Sequence, residues 1–265
     1  MSTAAAGGPI PVDVWWAGPN AAHEGLLPLL DPVERGRHEA TVSPADRSRF
    51  LVGCALSRLV LGELLGLPPA RVPLRRVCPR CGGPHGKPRL DMPGSAEPYD
   101  FSVTHSGEII GVAVCRGAEV GLDVEEADSP VDVALAARTA LAAPELAALD
   151  ALPPADRKAA FLRTWTRKEA VLKALGAGLT LPLRDLRLSP PDTRPTVLSW
   201  PEGLPSPPPA TTITDLMAET PATGPHPAAV AVIGHPGARL AVRTRHFEER
   251  RLLSAHRALR AQKSP

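Results

Sequence analysis

DFSVTHSGEIIGVAVCRGAEVGLDVEE, residues 100–126, carries the pattern from which the rest of the chain can be read. Its runs Asp100–Thr104, Ile109–Cys115 and Glu119–Val124 are apolar and rich in β-branched residues, with Ser106-Gly107 and Arg116-Gly117 as turn signals between them. They predict a small antiparallel meander. Side chains two apart on a strand share a face, so Leu122 and Val124 point into a core while Asp123 and Glu125 lie together at the strand end. Neighbouring carboxylates repel unless a cation neutralises them, and paired hard oxygen ligands suit Mg²⁺, above all where phosphate completes the coordination sphere. The competing reading is a solvated acidic strand end.

Upstream, Ile10–Trp16 alternates as a strand. Ser43 with Asp46 three residues on resembles a capping box, and an apolar helical period from Phe50 runs to Leu65, where Gly66 and Pro68-Pro69 stop it. Its first turn carries Arg47 and Arg49. Downstream, residues 131–176 read as helical, divided at Pro144 and Pro153-Pro154, with a last helix over Ala155–Leu175. Strands are predicted at Leu183–Leu188, Thr211–Met217, Ala228–Ile233 and Ala238–Thr244. This order implies an α+β fold of two pseudo-symmetric halves, each a small mainly antiparallel sheet packed on a long helix, although no clean sequence repeat accompanies it. The expected division is residues 10–118, residues 119–245 and a basic tail, 246–265.

Composition bounds the function. With 265 residues, 43% of them hydrophobic, the chain can bury one large or two small cores, which excludes disorder throughout. Thirty basic against 28 acidic residues give +2, without the basic excess of a nucleic-acid binder. The longest apolar stretch, Leu51–Gly66, is interrupted by Arg58 and Glu63 and is too short to span a membrane. No basic-then-apolar leader is seen, and four Cys without an export signal suggest a reducing cytoplasm. Of 32 prolines, eight fall in Pro190–Pro209, which predicts a long loop beside the chemistry.

The segment FLRTWTRKEAVLK, residues 161–173, spaces Trp165, Glu169 and Lys173 by four, so an aromatic, an acid and a base share one helix face. The plain reading is a surface Glu–Lys pair. The sharper one is a third metal ligand or base beside a cation for a departing phosphate. His105, closing a strand ahead of a glycine turn, could donate to a phosphate.

Taken in order, FSVTHSG, GLDVEE and WTRKEAVLKALGAGL resemble the surfactin-type 4′-phosphopantetheinyl transferases over about residues 43–185. That family combines a Gly-hydrophobic-Asp-hydrophobic-Glu strand, matched by Gly121, Asp123 and Glu125, with a Trp-Ser/Thr-x-Lys-Glu-Ala/Ser-x-x-Lys helix. Trp165, Thr166, Lys168, Glu169, Ala170 and Lys173 match the helix. The resemblance implies transfer of the phosphopantetheine arm of coenzyme A to a serine of an apo acyl or peptidyl carrier protein, with release of 3′,5′-ADP. It implies Mg²⁺ on Asp123, Glu125 and Glu169, with Glu169 and Lys173 as catalytic groups and an active site at the junction of the halves. Coenzyme A contacts would come from Arg49, Lys87, Thr104, His105 and Lys173. The family often carries further basic residues ahead of the first long helix; here Arg47, Arg75 and Arg76 are the substitutes on offer. A cytoplasmic monomer, with no nucleic-acid or membrane partner, is the accompanying expectation.

Two rival readings remain. Cys78, Cys81 and His85 have zinc-like spacing, and would make a zinc-knuckle interaction module if other ligands approached. The same carboxylates could alternatively serve a Mg²⁺-dependent phosphoryl or pyrophosphate hydrolase.

Overall fold

The computed structural model describes residues 8–77, 81–83, 86–95, 98–176, 181–202, 204, 209–220, 223–235 and 238–247. Strand β1, Ile10–Ala17, sends Val12, Val14 and Trp16 into the core on one face. It pairs antiparallel with β5, Ile109–Arg116, which pairs with β4, Tyr99–Ser106. On its other edge β1 pairs in parallel with the last strand, β11, Leu240–His246, and the sheet order is β11-β1-β5-β4. A second sheet, β6-β10-β9, joins β6, Glu119–Val124, to β10, Thr223–Ile233, and β9, Thr211–Thr220. Two-residue and three-residue strands complete the set: β2, Leu74–Arg76, with β3, Pro88–Leu90, and β7, Arg187–Leu188, with β8, Val197–Ser199.

Alternation along the strands builds four layers. On β5, Ile110, Val112 and Val114 face the long helix α2, Pro44–Leu65, while Ile109, Ala113 and Cys115 face the other sheet. On β10, Ala229, Ala231 and Ile233 face the second long helix, α5, Pro154–Leu175, and Ala228, Val230 and Val232 face the first sheet. The order is thus helix, sheet, sheet, helix. Shorter helices flank it: α1, Pro32–Ala40, α3, Val133–Ala140, and α4, Ala143–Asp150.

The expected α+β halves are present, and the two long helices show a repeat that a scan of the whole chain misses. Both run for 22 residues, both open on Pro-Ala-Asp-Arg (Pro44–Arg47 and Pro154–Arg157), and both end at a left-handed glycine, Gly66 at φ +65° and Gly176 at φ +70°. The expected division needs one change, because β11 crosses back into the first half's sheet. The tail, 248–265, lies outside the described residues, as do 203 and 205–208 of the proline-rich loop. That loop carries β8, and the strand expected over Leu183–Leu188 is a short 3₁₀ turn followed by β7. Among the described residues no helix is long and apolar enough to cross a membrane.

Buried ions fix the outer layers. Arg58, 1% exposed, pairs with Glu34 (2.5 Å) and with Asp31, and donates to the carbonyls of Pro69 and Val72. The charge that interrupted the apolar stretch therefore ties α2 to α1.

Candidate active site at the seam of the two halves

Strand β6 has β10 on one edge and, on the other, the side chains of β4 in place of a hydrogen-bonded strand. Asp100 accepts from Val120 N (2.8 Å), Ser102 from Leu122 N (3.0 Å) and Ser106 from Glu126 N (3.0 Å). A constant offset of 20 residues, with side chains as the ladder, joins the halves. These are alternate residues of one face of β4, so the period of two that makes a strand also makes the seam. Thr104, the remaining member of that face, gives its hydroxyl to Asp123 Oδ1 (3.1 Å) instead.

Asp123 and Glu125 share the face of β6 that meets α5, as the alternation requires. Helix α5 brings Trp165, Glu169 and Lys173 to them. Lys173 Nζ donates to Asp123 Oδ1 (2.6 Å) and to Thr104 Oγ1 (3.0 Å). Glu125 is held at both oxygens, Oε1 by the Trp165 indole N–H (3.0 Å) and Oε2 by the Ser106 hydroxyl (2.9 Å). A small cavity of about 100 Å³ opens beside Glu125 and Trp165.

Two oxygens in this cluster, Asp123 Oδ2 and Glu169 Oε1, are buried without a hydrogen-bond partner among the described residues. Burial pushes the Asp123 carboxyl above its ordinary range, against the pull of Lys173. Burial and then the Asp123 charge push Glu125 and Glu169 the same way. Three acids with raised carboxyls and one lysine among them form a site short of positive charge. Orphaned hard oxygen atoms fit a divalent cation such as Mg²⁺, although among the described residues no three acidic, imidazole or thiol groups form a ready-made cage.

Basic groups of the first half stand near Lys173. Arg49, in the second turn of α2, donates to the carbonyl of Gly107 (3.0 Å) and to Asp46 (2.6 Å), which fixes it against the β4–β5 turn. His105 stands exposed on β4, yet desolvation by its surroundings and the Lys173 and Arg49 charges hold its imidazole below the ordinary value. Arg49 and Lys173 thus supply the positive charge of a rim to which His105 adds a neutral imidazole, which suits an anion.

Lys87 is placed differently from the sequence expectation. Its side chain is only 8% exposed, and its ammonium donates to Asp100, to Val120 O (2.9 Å) and to Ala174 O (3.2 Å), which uses all three of its donors. It straps β4, β6 and α5 together and has no N–H left for a phosphate. Two of the suggested substitutes are also committed, Arg47 to Thr41 O and Arg76 to buried Glu34. Arg75 is exposed near Asp91. Lys168, fully buried, donates to Glu145 (2.5 Å) and to the carbonyls of Ala140 and Leu183, so this lysine of the helix motif anchors α5 and stands apart from the acids. Cys78 and His85 lie outside the described residues. Ser106 was not singled out from sequence; its signal was position alone, two residues beyond Thr104 on the same face.

With this geometry in hand, the comparisons with known proteins point one way. The 4′-phosphopantetheinyl transferase superfamily matches residues 119–229, the stretch that holds all three acids, Trp165 and Lys173. Over those 111 of its 265 residues the chain resembles that superfamily. The 4′-phosphopantetheinyl transferase HetI of Nostoc sp. is 28% identical over 180 residues, 68% of this chain and 73% of that protein. The 4′-phosphopantetheinyl transferase psf-1 of Bacillus pumilus is 31% identical over 157 residues, 59% and 62% of the two chains. The 4′-phosphopantetheinyl transferase AcpT of Escherichia coli K12 is 30% identical over 145 residues, 55% and 66%. The matched stretches thus span between 62% and 73% of these relatives.

Proposed function

We propose that this chain is a surfactin-type, Mg²⁺-dependent transferase that moves the 4′-phosphopantetheine arm of coenzyme A onto a serine of an apo acyl or peptidyl carrier protein. Its settings would be polyketide, nonribosomal peptide or fatty acid synthesis. The observation that carries the reading is the meeting of Asp123, Glu125 and Glu169 beside Lys173, on the β6–α5 contact inside the stretch that matches the superfamily.

In this reaction the serine Oγ forms a bond to the β-phosphorus of coenzyme A while the bond from that phosphorus to the bridging oxygen breaks. The electron pair leaves with 3′,5′-ADP, and the serine proton passes to a base. Asp123, Glu125 and Glu169 would hold the Mg²⁺, whose charge, when bound, stabilises the pyrophosphate as it separates. Ser106 and the Trp165 indole fix the Glu125 carboxylate, and Thr104 fixes Asp123. Glu169 has a free oxygen and is the candidate base. Lys173 Nζ, between Thr104 and Asp123, is the cation for the charge that grows on the leaving phosphate. Arg49 and His105 supply donors on the same rim for the remaining phosphates of coenzyme A. The first half would thus hold much of the nucleotide and the second would supply the acids. A cytoplasmic monomer belongs to the same proposal, supported by the resemblance to the surfactin branch.

The test is mass spectrometry of several apo carrier proteins after incubation with the folded protein, coenzyme A and Mg²⁺. A gain of one phosphopantetheine on the carrier serine is expected. No gain on any carrier overturns the assignment, and phosphate or nucleotide released without a carrier would favour a hydrolase.

A further inference from the structure

A cavity of about 550 Å³ lies away from the acids, between α4, α5 and the segment that carries β7 and β8. Asp156, Ala160 and Arg163 of α5 line it. At 100° per residue these stand on the side of the helix turned away from Trp165, Glu169 and Lys173. Its volume is that of a small-molecule site, which typically spans about 300–1,000 Å³. The walls are apolar, formed mainly by Leu141, Leu149, Leu152, Leu188 and Pro191.

The walls are also held in place. Arg167, 1% exposed, donates to the carbonyls of Pro190, Pro191 and Thr193 and to both oxygens of Asp215, so the proline segment is clamped to α5. Glu145, at the α4 wall, is fixed by Lys168 and by the backbone N–H groups of Ala142 and Leu188. This charge is already matched. Packing thus maintains a hollow that collapse would otherwise fill.

One polar group in the lining is unmatched. Arg187 Nε is buried without a hydrogen-bond partner, and the guanidinium has no ion pair among the described residues. Buried donors are almost always satisfied, so the orphan marks Arg187 as a half-buried side chain of the lining whose guanidinium is uncommitted and can take an acceptor that a ligand brings. The exposed Arg163, Asp156 and Asp192 of the lining balance to one excess acid, so the half-buried cation of the lining is Arg187.

We propose that this cavity binds an apolar small molecule with one carboxylate, its tail along the leucine and proline walls and its carboxylate on Arg187. This site is separate from the transferase chemistry and does not rest on it. The probe is decanoate below its micelle concentration, titrated calorimetrically, with decanol as the uncharged control. Saturable one-site binding is expected, weaker by about tenfold or more for decanol, because a charge-assisted hydrogen bond is lost. Arg187→Met should bring decanoate down to the decanol level. Ala148→Trp, which fills the cavity from an exposed position on α4, should abolish binding of both, and Lys173→Ala should bind decanoate as the wild type does. Absence of saturable decanoate binding, equal affinity for decanol, or unchanged binding in Ala148→Trp overturns the proposal.

Discussion

A Cβ on Gly121 would stand 1.9 Å from the carbonyl oxygen of Ala170. The next atom it would meet is Ala174 N, at 2.4 Å. Strand β6 and helix α5 therefore touch backbone to backbone, and only this approach brings Asp123 within reach of Lys173 and Glu169. Gly121→Ala must push the helix away. A loss of about 1–3 kcal/mol or more in urea unfolding is expected, typical of forcing atoms into a packed core, together with loss of transfer. A wild-type midpoint and rate would show that strand and helix can part freely.

Glu169→Gln separates folding from chemistry. The buried carboxylate has a raised pKa in the folded protein, so the wild type loses stability as pH climbs from the ordinary glutamate value, 4.5, toward the folded one. The amide escapes that loss. Above pH 4.5 the metal-free variant should melt at or above the wild-type temperature, and the two should converge below it, while transfer is abolished. Added Mg²⁺ should raise the wild-type melting temperature more than that of the variant. Equal rises would remove Glu169 from the metal site.

Lys173→Ala should lower kcat by more than it raises KM for coenzyme A, because the developing charge on the leaving phosphate is greatest in the transition state. A change confined to KM would make Lys173 a binding residue only.

Lys87→Met tests the strap. Breaking a buried pair by removing one partner typically costs about 3–5 kcal/mol, and the loss should appear in urea unfolding, since Asp100 would keep only the half-exposed Arg89, at 4.0 Å. In the protein that remains folded, KM for coenzyme A should change little. A large rise in KM at unchanged stability would return Lys87 to the phosphate contacts.

The seam explains what could be read from the chain and what could not. The long helices were legible because caps, glycine stops and apolar periods are local, and Asp123 and Glu125 were legible because strand alternation is local too. Their meeting with Glu169 and Lys173 was inferred through the family resemblance, since a separation of some fifty residues carries no periodic signal. Lys87 illustrates the limit. Its neighbours Gly86 and Pro88 suit a ligand loop, but its partners Val120 O and Ala174 O lie 33 and 87 residues on. The return of β11 to β1 was hidden likewise, because an alternating strand does not say which sheet it joins.

That return has a consequence for how the molecule is made. The first half leaves the ribosome early, yet β1 keeps an open edge until Leu240–His246 has been synthesised. Two hundred and thirty residues separate the partners Ile10 and Leu240, so the closing contact is nonlocal and late. Until then the nascent chain must carry an unpaired strand, which is the kind of edge that invites pairing with another chain.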